Sequence, residues 1–521
     1  MKKIIITALF FCVLAGCTKD FETTNQNPYT ISDELLQQDF NLVGSPFKGL
    51  MFNLFGHQIE ENLVHDNFTR QLGTPTPFVG SVNNTTYYIR WNTYWDRVYG
   101  DVMSPSKQVI RLAQENNLPL FATWAKLIRI LSMSKLTAYH GPVIYSNYGT
   151  TASTILYDKE SDLYNLFFQQ LDSIQTDFSA NKDYKGFTKF DQSYKGDITK
   201  WMKLVNSMRL RLAIRIAKVA PALAKTQGEK AMSDPGGLIT SNADNYNVSL
   251  LGNIIPIAMI CYQWDDTRMG DGMESFLVGL KDGRISKYFA PVTDNSLVTD
   301  HPDYPYKGIR CGAYLDAKDQ RVSYSKIAES FNTVTSRRYM TAAEVSFLKA
   351  EAALRGWSGA GSAKTNYEEG VKLSFADWGA SGAEAYLADA TSKPINYVDP
   401  KDAKNDYTSR STITVAWNEA DDNELKLEKI ITQKWIDGFT NSLEAWVDHR
   451  RTGYPKLPYN AKNDSNADWG VIAKDDFIKR MPFVNGERTG NAAGVADATT
   501  KLGGKDEIGT RLWWDTGGSN F

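Results

Sequence analysis

Apolar residues recur at helical spacing over several long stretches of the chain. In the first stretch, residues 120–139, the charged residues lie on other faces and the apolar stripe consists of Leu120, Trp124, Leu127, Ile128, Leu131 and Leu136. Such a stripe predicts an amphipathic helix. The same spacing predicts helices over residues 161–178, 200–220, 340–355, 367–378 and 424–437. We expect these helices to stop at nearby glycine or proline residues, namely Gly141, Pro221, Gly356 and Gly438.

The helical pattern is lost in two regions. Between about residue 234 and residue 335, glycines, prolines and scattered aromatic residues interrupt every long period, which favours loops and short strands. The tail after Gly453 is irregular too, but it contains Phe477, Met481, Phe483, Trp513 and Trp514, which should dock it on the body. No repeat consensus recurs at a fixed period. We therefore predict one mainly α-helical domain over residues 31–521, with an irregular insert at about 234–335.

The N-terminus has the features of an exported lipoprotein. Two lysines precede an uncharged apolar run from Ile4 to Leu14, which is too short to span a bilayer and predicts a signal peptide over residues 1–16. The run closes with Leu14-Ala15-Gly16-Cys17, a lipobox in which the Cys17 thiol would accept a diacylglycerol. Polar residues up to position 30 would then form a tether. No other long apolar stretch follows, so lipid is the predicted membrane attachment.

Charge and aromatic content bear on the kind of ligand that the protein binds. The formal net charge is −2 and no basic stripe occurs, which argues against nucleic acid and favours neutral ligands. The 26 tyrosines and 13 tryptophans suit sugar or peptide recognition, but they suit a helical core equally well.

Cys261 and Cys311 are the thiols left after removal of the signal peptide and acylation of Cys17. We favour two unpaired buried cysteines, while a disulfide between them stays open because spacing does not give their separation.

Motifs of enzyme chemistry are missing from the sequence. The five histidines include no His-Glu-x-x-His spacing, and neither a Gly-x-Ser-x-Gly elbow nor a phosphate-binding loop occurs. The acidic loop at residues 265–272 does not match calcium-loop spacing. We predict no cofactor and no metal. The alternative to a non-catalytic protein is a glycan-acting surface hydrolase. Such an enzyme needs only two carboxylates at the right separation, and spacing along the chain does not exclude such a pair.

Aromatic residues beside polar ones are the candidate ligand contacts, since sugar rings stack on aromatic faces and their hydroxyls need polar partners. The first cluster is Tyr87, Tyr88 and Trp91, although helical spacing with Tyr94, Trp95 and Tyr99 favours a core position for Trp91. In the second cluster, Tyr262 and Trp264 are expected to alternate along a strand and project to one side, beside Asp265, Asp266 and Arg268. A weaker third set consists of His301, Tyr304, Tyr306 and Arg310.

Several segments resemble the motifs of one protein family. They are Lys200-Trp201 with Asn206–Arg215, Ala343–Ala352, Ile430–Trp435, Arg450–Pro455 and Trp513-Trp514-Asp515. Together they are similar to the SusD/RagB-like outer-membrane nutrient-binding lipoproteins, in particular the SusD-like, starch-binding-associated branch. Two other segments depart from the family pattern, since Tyr139–Val143 lacks the usual turn and Lys281–Arg284 has Asp-Gly-Arg in place of Asp-Pro-Arg.

The resemblance implies a fold and a function. The fold would contain four tetratricopeptide-like helix pairs with an irregular, loop-rich ligand-binding region. The protein would be non-catalytic, capture an oligosaccharide or peptide at the surface of a Bacteroidetes-like cell, and deliver it to a SusC-like TonB-dependent transporter barrel in the outer membrane. Charged motif residues such as Glu344, Glu351, Arg209, Arg211 and Arg450 would serve the scaffold. A third reading is a structural lipoprotein that binds no soluble ligand.

The lipid anchor gives the first testable prediction. Cys17→Ser should abolish lipidation, because a hydroxyl does not replace the thiolate nucleophile that accepts the lipid. Metabolic labelling with a palmitate analogue should mark the native protein and leave the variant unmarked. Label that persists on the variant would place the anchor elsewhere.

Overall fold

The computed structural model describes residues 38–78, 80 and 82–521. The predicted signal peptide, Cys17 and the tether up to residue 30 lie outside these residues. Long helices account for most of the regular structure. They are α1 (Ser104–Glu115), α2 (Pro119–His140), α3 (Glu160–Ala180), α4 (Ile198–Arg215), α5 (Pro221–Ser233), α6 (Ala342–Leu354), α7 (Ala363–Asp377), α8 (Asn423–Asp437), α9 (Ser442–Thr452) and α10 (Ala492–Leu502).

Consecutive long helices pack against one another, as the tetratricopeptide-like pairing predicts. Close packing joins α1 with α2, α3 with α4, α4 with α5, α6 with α7, and α8 with α9, while α4 and α6 bring the earlier and later pairs together. The apolar stripes form the core between them. In that core Trp124 and Trp201 are fully buried and their rings meet edge to face, with centroids 5.4 Å apart.

Five of the predicted helices are confirmed, with ends shifted by at most four residues. The prediction for residues 200–220 was wrong at its C-terminal end. Helix α4 stops at Arg215, and Pro221 begins α5 instead of merely following a helix. Proline is tolerated in the first turn because its missing N–H would have no partner there. Helices α1, α5, α9 and α10 were not predicted.

The region between residues 234 and 335 contains only short elements in the described structure. Two small antiparallel sheets hold it to the body. Strand β1 (Leu72–Gly73) pairs with β3 (Arg268–Met269), and β2 (Tyr246–Ser249) pairs with β4 (Ser336–Met340). The remaining short helices are Asn41–Gly44, Phe47–Phe52, Gln58–Glu60, Asp66–Phe68, Tyr94–Val98, Pro256–Ala258, Asp271–Met273, Ile285–Tyr288, Ala383–Leu387 and Asn485–Gly490, with π-helical turns at Glu61–His65, Tyr99–Met103, Met259–Gln263 and Glu274–Val278. Turns of 3₁₀-helix lie at Gln38–Phe40, Asn84–Thr86, Asn242–Asp244, Asn295–Val298, Lys318–Arg321, Glu329–Thr333 and Ala403–Asn405.

Buried ion pairs join the helices that meet at the centre. The guanidinium of Arg211 in α4 makes two parallel hydrogen bonds to Glu344 in α6, at 2.8 and 2.7 Å. Arg215, one turn further along α4, lies 2.7 Å from Glu444 in α9. Burial acts to raise the pKa of Glu444, but Arg215 and Arg211 lower it to about 2. The Arg215–Glu444 pair therefore stays ionised, and both pairs fix how the helices are oriented.

The tail docks on the body, as predicted. Met481, Phe483 and Trp514 are fully buried. Arg480 donates to the His140 carbonyl at the end of α2, at 2.9 and 2.7 Å, and also binds Asp506 at 2.6 Å. The last 60 residues thus belong to the same core as the first helices.

Both cysteines of the described chain are free and buried, as preferred on sequence grounds. The Cys311 thiol donates to the Leu72 carbonyl at 3.3 Å. No helix in the described part of the chain is long and apolar enough to cross a membrane.

The buried carboxylate of Glu160, at the start of α3 and in contact with the tail, gives a prediction about the pH dependence of stability. Glu160 accepts a hydrogen bond from the Trp513 amide at 3.0 Å, and burial raises its pKa to about 7. Because the folded-state pKa of Glu160 lies above the unfolded one, the contribution of this carboxyl to stability is full below pH 4.5 and is lost as pH rises through about 7. Glu160→Gln should therefore add up to about 3 kcal/mol at pH 8 and little at pH 4.

Denaturant unfolding at both pH values measures this effect. Glu115→Gln is the control, because Glu115 pairs with Arg111 on the exposed face of α1 at 2.8 Å, and its replacement should not stabilise the protein at pH 8. An equal effect of Glu160→Gln at pH 4 and pH 8 would contradict the prediction.

Candidate ligand-binding site

The first predicted cluster is only partly exposed. Tyr87 is buried, with its ring 5.9 Å from Phe68, so it presents no face to a ligand. Tyr88 is exposed, and Trp91 is half-buried between Phe78, at a centroid distance of 5.4 Å, and the Arg90 guanidinium at 5.1 Å. Trp91 precedes the helix on which it was expected.

The loop that carries Tyr88 and Trp91 is held in place by the buried side-chain amide of Asn84. The Asn84 side chain accepts from the backbone N–H groups of Arg90 and Trp91, at 2.8 and 3.0 Å, and donates to the Trp91 carbonyl at 2.7 Å. This closed set of hydrogen bonds fixes the position from which Tyr88 and Trp91 project. Tyr94 and Trp95 belong to the core, as favoured on sequence grounds.

The second predicted cluster lies at a helical turn, so the strand prediction for Tyr262 and Trp264 was wrong. Tyr262 is in the π-helical turn Met259–Gln263, and Trp264 follows its last residue. The Trp264 side chain is 46% exposed. Tyr262 is half-buried and donates to the Ile327 carbonyl at 2.5 Å.

The charged members of this cluster mostly bind one another. Arg268 is fully buried and lies 2.6 Å from Asp265, while its other N–H groups donate to the Val322 and Thr267 carbonyls. Lys326 also lies 3.1 Å from Asp265. Arg268 therefore positions the loop below Trp264 and has no free edge for a ligand.

The third predicted set is also mainly structural. Tyr306 is buried and Tyr304 is half-buried. Arg310 is buried as well and lies 2.7 Å from Asp271, yet it reaches the floor of a groove that was not predicted. In the described residues, no cluster of His, Cys, Asp or Glu side chains could hold a metal ion.

This groove encloses about 670 Å³ and is formed by three segments that are distant in sequence. Its walls come from residues 310–314, 404–410 and 458–475, and its principal side chains are Arg310, Tyr314, Lys404, Arg410, Tyr459 and Asn460. Two of the segments make close contact where Gly312, at φ +62°, packs on the Asn460 amide. A Cβ at Gly312 would lie 2.2 Å from that amide, so only glycine fits there.

The groove combines exposed aromatic faces with polar groups. Tyr314 is 38% exposed, and both its backbone groups bond the Asn405 amide, at 2.8 and 3.1 Å. Tyr459 is half-buried, with the Arg410 guanidinium 4.0 Å from its ring centre. The Asn460 amide donates to the Thr85 carbonyl at 2.9 Å, which joins the groove to the loop that bears Tyr88. The Asn460 amide oxygen is buried and accepts no hydrogen bond within the described chain.

A second cavity is less suited to a sugar. It encloses about 190 Å³ and its walls are largely apolar, with Phe52, Phe55, Val98, Leu250 and Met259 among them. Ring hydroxyls that are buried in a site need polar partners, and the groove provides more of them than the second cavity. The groove is therefore the better candidate site for an oligosaccharide.

Comparison with known proteins identifies the family. The family model described as "SusD-like: Susd and RagB outer membrane lipoprotein" matches residues 23–515. This chain belongs to the SusD-like family. It is accordingly an outer-membrane lipoprotein. A search of curated proteins found no match.

Solved structures agree with this assignment. A chitin-binding SusD homolog from Flavobacterium johnsoniae is 37% identical, with a TM-score of 0.85, and the match covers 92% of this chain and 100% of that one. A SusD homolog from Bacteroides vulgatus is 32% identical, with a TM-score of 0.86 and coverage of 93% and 99%. A SusD-like protein from Bacteroides thetaiotaomicron is 32% identical, with a TM-score of 0.82 and coverage of 91% and 99%. The SusD-like helical fold is thus shown, whereas the starch-binding-associated branch is not singled out.

The half-exposed indole of Trp264 gives the next prediction. Trp264 does not line the groove, so this prediction tests it as a separate ligand contact. If its indole stacks on the ligand, Trp264→Ala should weaken oligosaccharide binding at least about tenfold, since a central binding aromatic contributes about 2 kcal/mol or more. The melting temperature should change little, because the exposed indole makes few core contacts. Calorimetric titration and a melting curve on the same variant measure both effects. Normal binding with a lowered melting temperature would remove Trp264 from the site.

Proposed function

We propose that this SusD-like protein is a non-catalytic surface protein that captures oligosaccharides in the groove and passes them to a SusC-like TonB-dependent outer-membrane transporter. The observation that carries the proposal is the exposed ring of Tyr314 beside Tyr459 and Arg410 in the wall of the groove. An exposed aromatic face beside a guanidinium group and other polar side chains suits a pyranose ring and its hydroxyls.

Chitin oligosaccharides are the first ligands to test. The Flavobacterium johnsoniae homolog with 37% identity is described as chitin-binding, and the match covers that chain completely. N-Acetylglucosamine has an apolar ring face, which suits Tyr314, and hydroxyl and acetamido groups, which suit the polar side chains of Lys404 and Arg410. Peptides would use the same groove and are the second ligand class to test.

A glycan hydrolase remains the alternative, because two carboxylates, Asp406 and Asp475, line the groove. Asp406 accepts a hydrogen bond from the Asp399 backbone at 2.7 Å, and Asp475 is exposed. Hydrolysis would need these groups to flank a glycosidic bond as acid and base. Incubation of the purified protein with chitohexaose should release no shorter product. Product formation that is lost in Asp406→Asn or Asp475→Asn would replace the binding proposal.

The decisive variant is Tyr314→Ala. It should weaken chitohexaose binding about tenfold or more, because the stacking face is removed, and it should leave the melting temperature unchanged. Tyr314→Phe is the matched control, since it keeps the ring and loses only the hydroxyl. Isothermal titration calorimetry measures both affinities. Equal binding by native protein and Tyr314→Ala would exclude this groove as the glycan site.

A further inference from the structure

A basic pocket opens directly beside the groove. It encloses about 200 Å³ and shares Arg410, Tyr459 and Asp475 with the groove wall. Because both depressions share these three residues, a ligand in the groove can extend a substituent into the basic pocket.

Cations outnumber carboxylates in the lining of the basic pocket. The cations are Lys218, Arg410, Arg450, Arg451, Lys479 and Arg511, against Asp475 and Asp476. His449 also lines the pocket, but burial lowers its pKa to about 3 and it is neutral at physiological pH.

Half of these cations are neutralised by neighbouring carboxylates. Arg451 binds Glu351 at 2.6 Å, Lys479 pairs with Asp476, and Arg511 lies 2.5 Å from Asp515. These pairs add no net attraction for an anion. The positive character of the basic pocket therefore comes from the other three cations.

Lys218, Arg410 and Arg450 have no carboxylate partner among the described residues and donate to backbone carbonyls instead. Lys218 donates to the Gly517 carbonyl at 2.9 Å, and Arg410 donates to the Leu457 carbonyl at 2.7 Å. Arg450 donates to the carbonyls of Lys479 and Ala138, both at 2.7 Å. A carbonyl carries only a partial charge, and carboxylates such as Asp515 act on Lys218 and Arg450 only from beyond ion-pair distance, so these three cations lack full compensation.

Burial makes this lack of compensation costly. Arg450 is 5% exposed and lies between two indole rings, 3.6 Å from the ring of Trp446 and 4.8 Å from that of Trp514. Burial lowers its pKa to about 9, and burial also lowers the pKa of Lys218. An anion in the basic pocket would offset this desolvation.

The groove continues the same charge pattern. Lys404 lies 5.6 Å from the ring of Tyr314, and Lys474 stands on the opposite segment. Neither forms an ion pair within the described chain, whereas the overall formal charge of the protein is −2. Positive potential is thus concentrated along the path of the ligand.

We propose that the basic pocket binds an anionic substituent, a carboxylate or a sulfate, of the oligosaccharide held in the groove. The inference rests on the proposed function and narrows the ligand to an acidic glycan. It replaces the expectation of a neutral ligand that the overall charge suggested.

Matched oligosaccharides test the charge requirement. Hyaluronan hexasaccharide alternates glucuronate with N-acetylglucosamine, and its carboxyl-reduced form has the same backbone without charge. Chondroitin 4-sulfate hexasaccharide and its desulfated form make the corresponding pair for sulfate. Desulfated chondroitin keeps its glucuronates, so the charged member of each pair means the one with the additional anionic groups. In at least one pair, the native protein should bind this charged member about tenfold more tightly at low salt, and the difference should shrink as salt increases.

Substitutions show which side chains cause the preference for the charged oligosaccharide. Arg410→Gln keeps an exposed polar side chain and should reduce the preference for the charged member several-fold, and Lys218→Met should do the same. Lys48→Gln is the control, because Lys48 is exposed, lines neither depression and makes the same change of charge. If Lys218→Met does not fold, Arg410→Gln alone decides the point.

The outcomes separate the two proposals. A preference in the first pair identifies carboxylate, and a preference in the second pair identifies sulfate. Equal binding within both pairs, together with binding of neutral chitohexaose, would overturn the anion site and leave the proposed function standing. No binding of any hexasaccharide would overturn both. An unchanged preference in Arg410→Gln would remove the basic pocket as its source.

Discussion

The fold depends on a set of ionised side chains that are buried where the central helices meet. Arg211 and Arg215 extend from α4 to Glu344 in α6 and Glu444 in α9. Arg451 in α9 binds Glu351 in α6 and Asp448 in its own helix. Removing one partner from such a pair leaves an uncompensated charge and typically costs about 3–5 kcal/mol. Apolar contacts between two helices persist when one helix shifts slightly along the other. The two parallel hydrogen bonds between a guanidinium and a carboxylate are directional and do not survive such a shift. The network therefore sets how the helices are oriented.

Buried ion pairs also position the loops of the irregular region. Arg310 binds Asp271, Arg321 binds Asp399 at 2.9 Å, and Lys307 binds Glu274 at 2.7 Å, all of them buried. These pairs connect segments that have few regular hydrogen bonds of their own. The exposed Tyr314 and the half-buried Tyr459 then project from segments that these pairs hold in place, which lowers the entropic cost of binding a flexible oligosaccharide. The scaffold and the binding surface are thus stabilised by one kind of interaction.

The side chains proposed to bind the ligand are separate from the residues that identify the family. The motif residues Glu344, Glu351, Arg211 and Arg451 lie inside the scaffold, whereas Tyr314, Lys404 and Arg410 lie on loops between helices. Loops can change without disturbing the helix contacts, so related proteins can share the frame and bind different glycans. Arg450 is an exception, because it packs between two tryptophans and also lines the basic pocket.

The sequence by itself determined the family, five of the long helices and the apolar core, because helical periodicity and capping residues are local signals. It missed α1, α5, α9 and α10, the last of which has only Val495 and Leu502 as large apolar residues. It also placed Tyr262 and Trp264 on a strand where the backbone forms a π-helical turn. Whether Tyr87 and Arg268 were exposed or buried also depended on contacts with distant segments. Only the tertiary structure decided the candidate site, since its walls come from residues 310–314, 404–410 and 458–475. Nothing local signals that such segments meet; their proximity follows from the packing of helices and buried ion pairs across the whole chain.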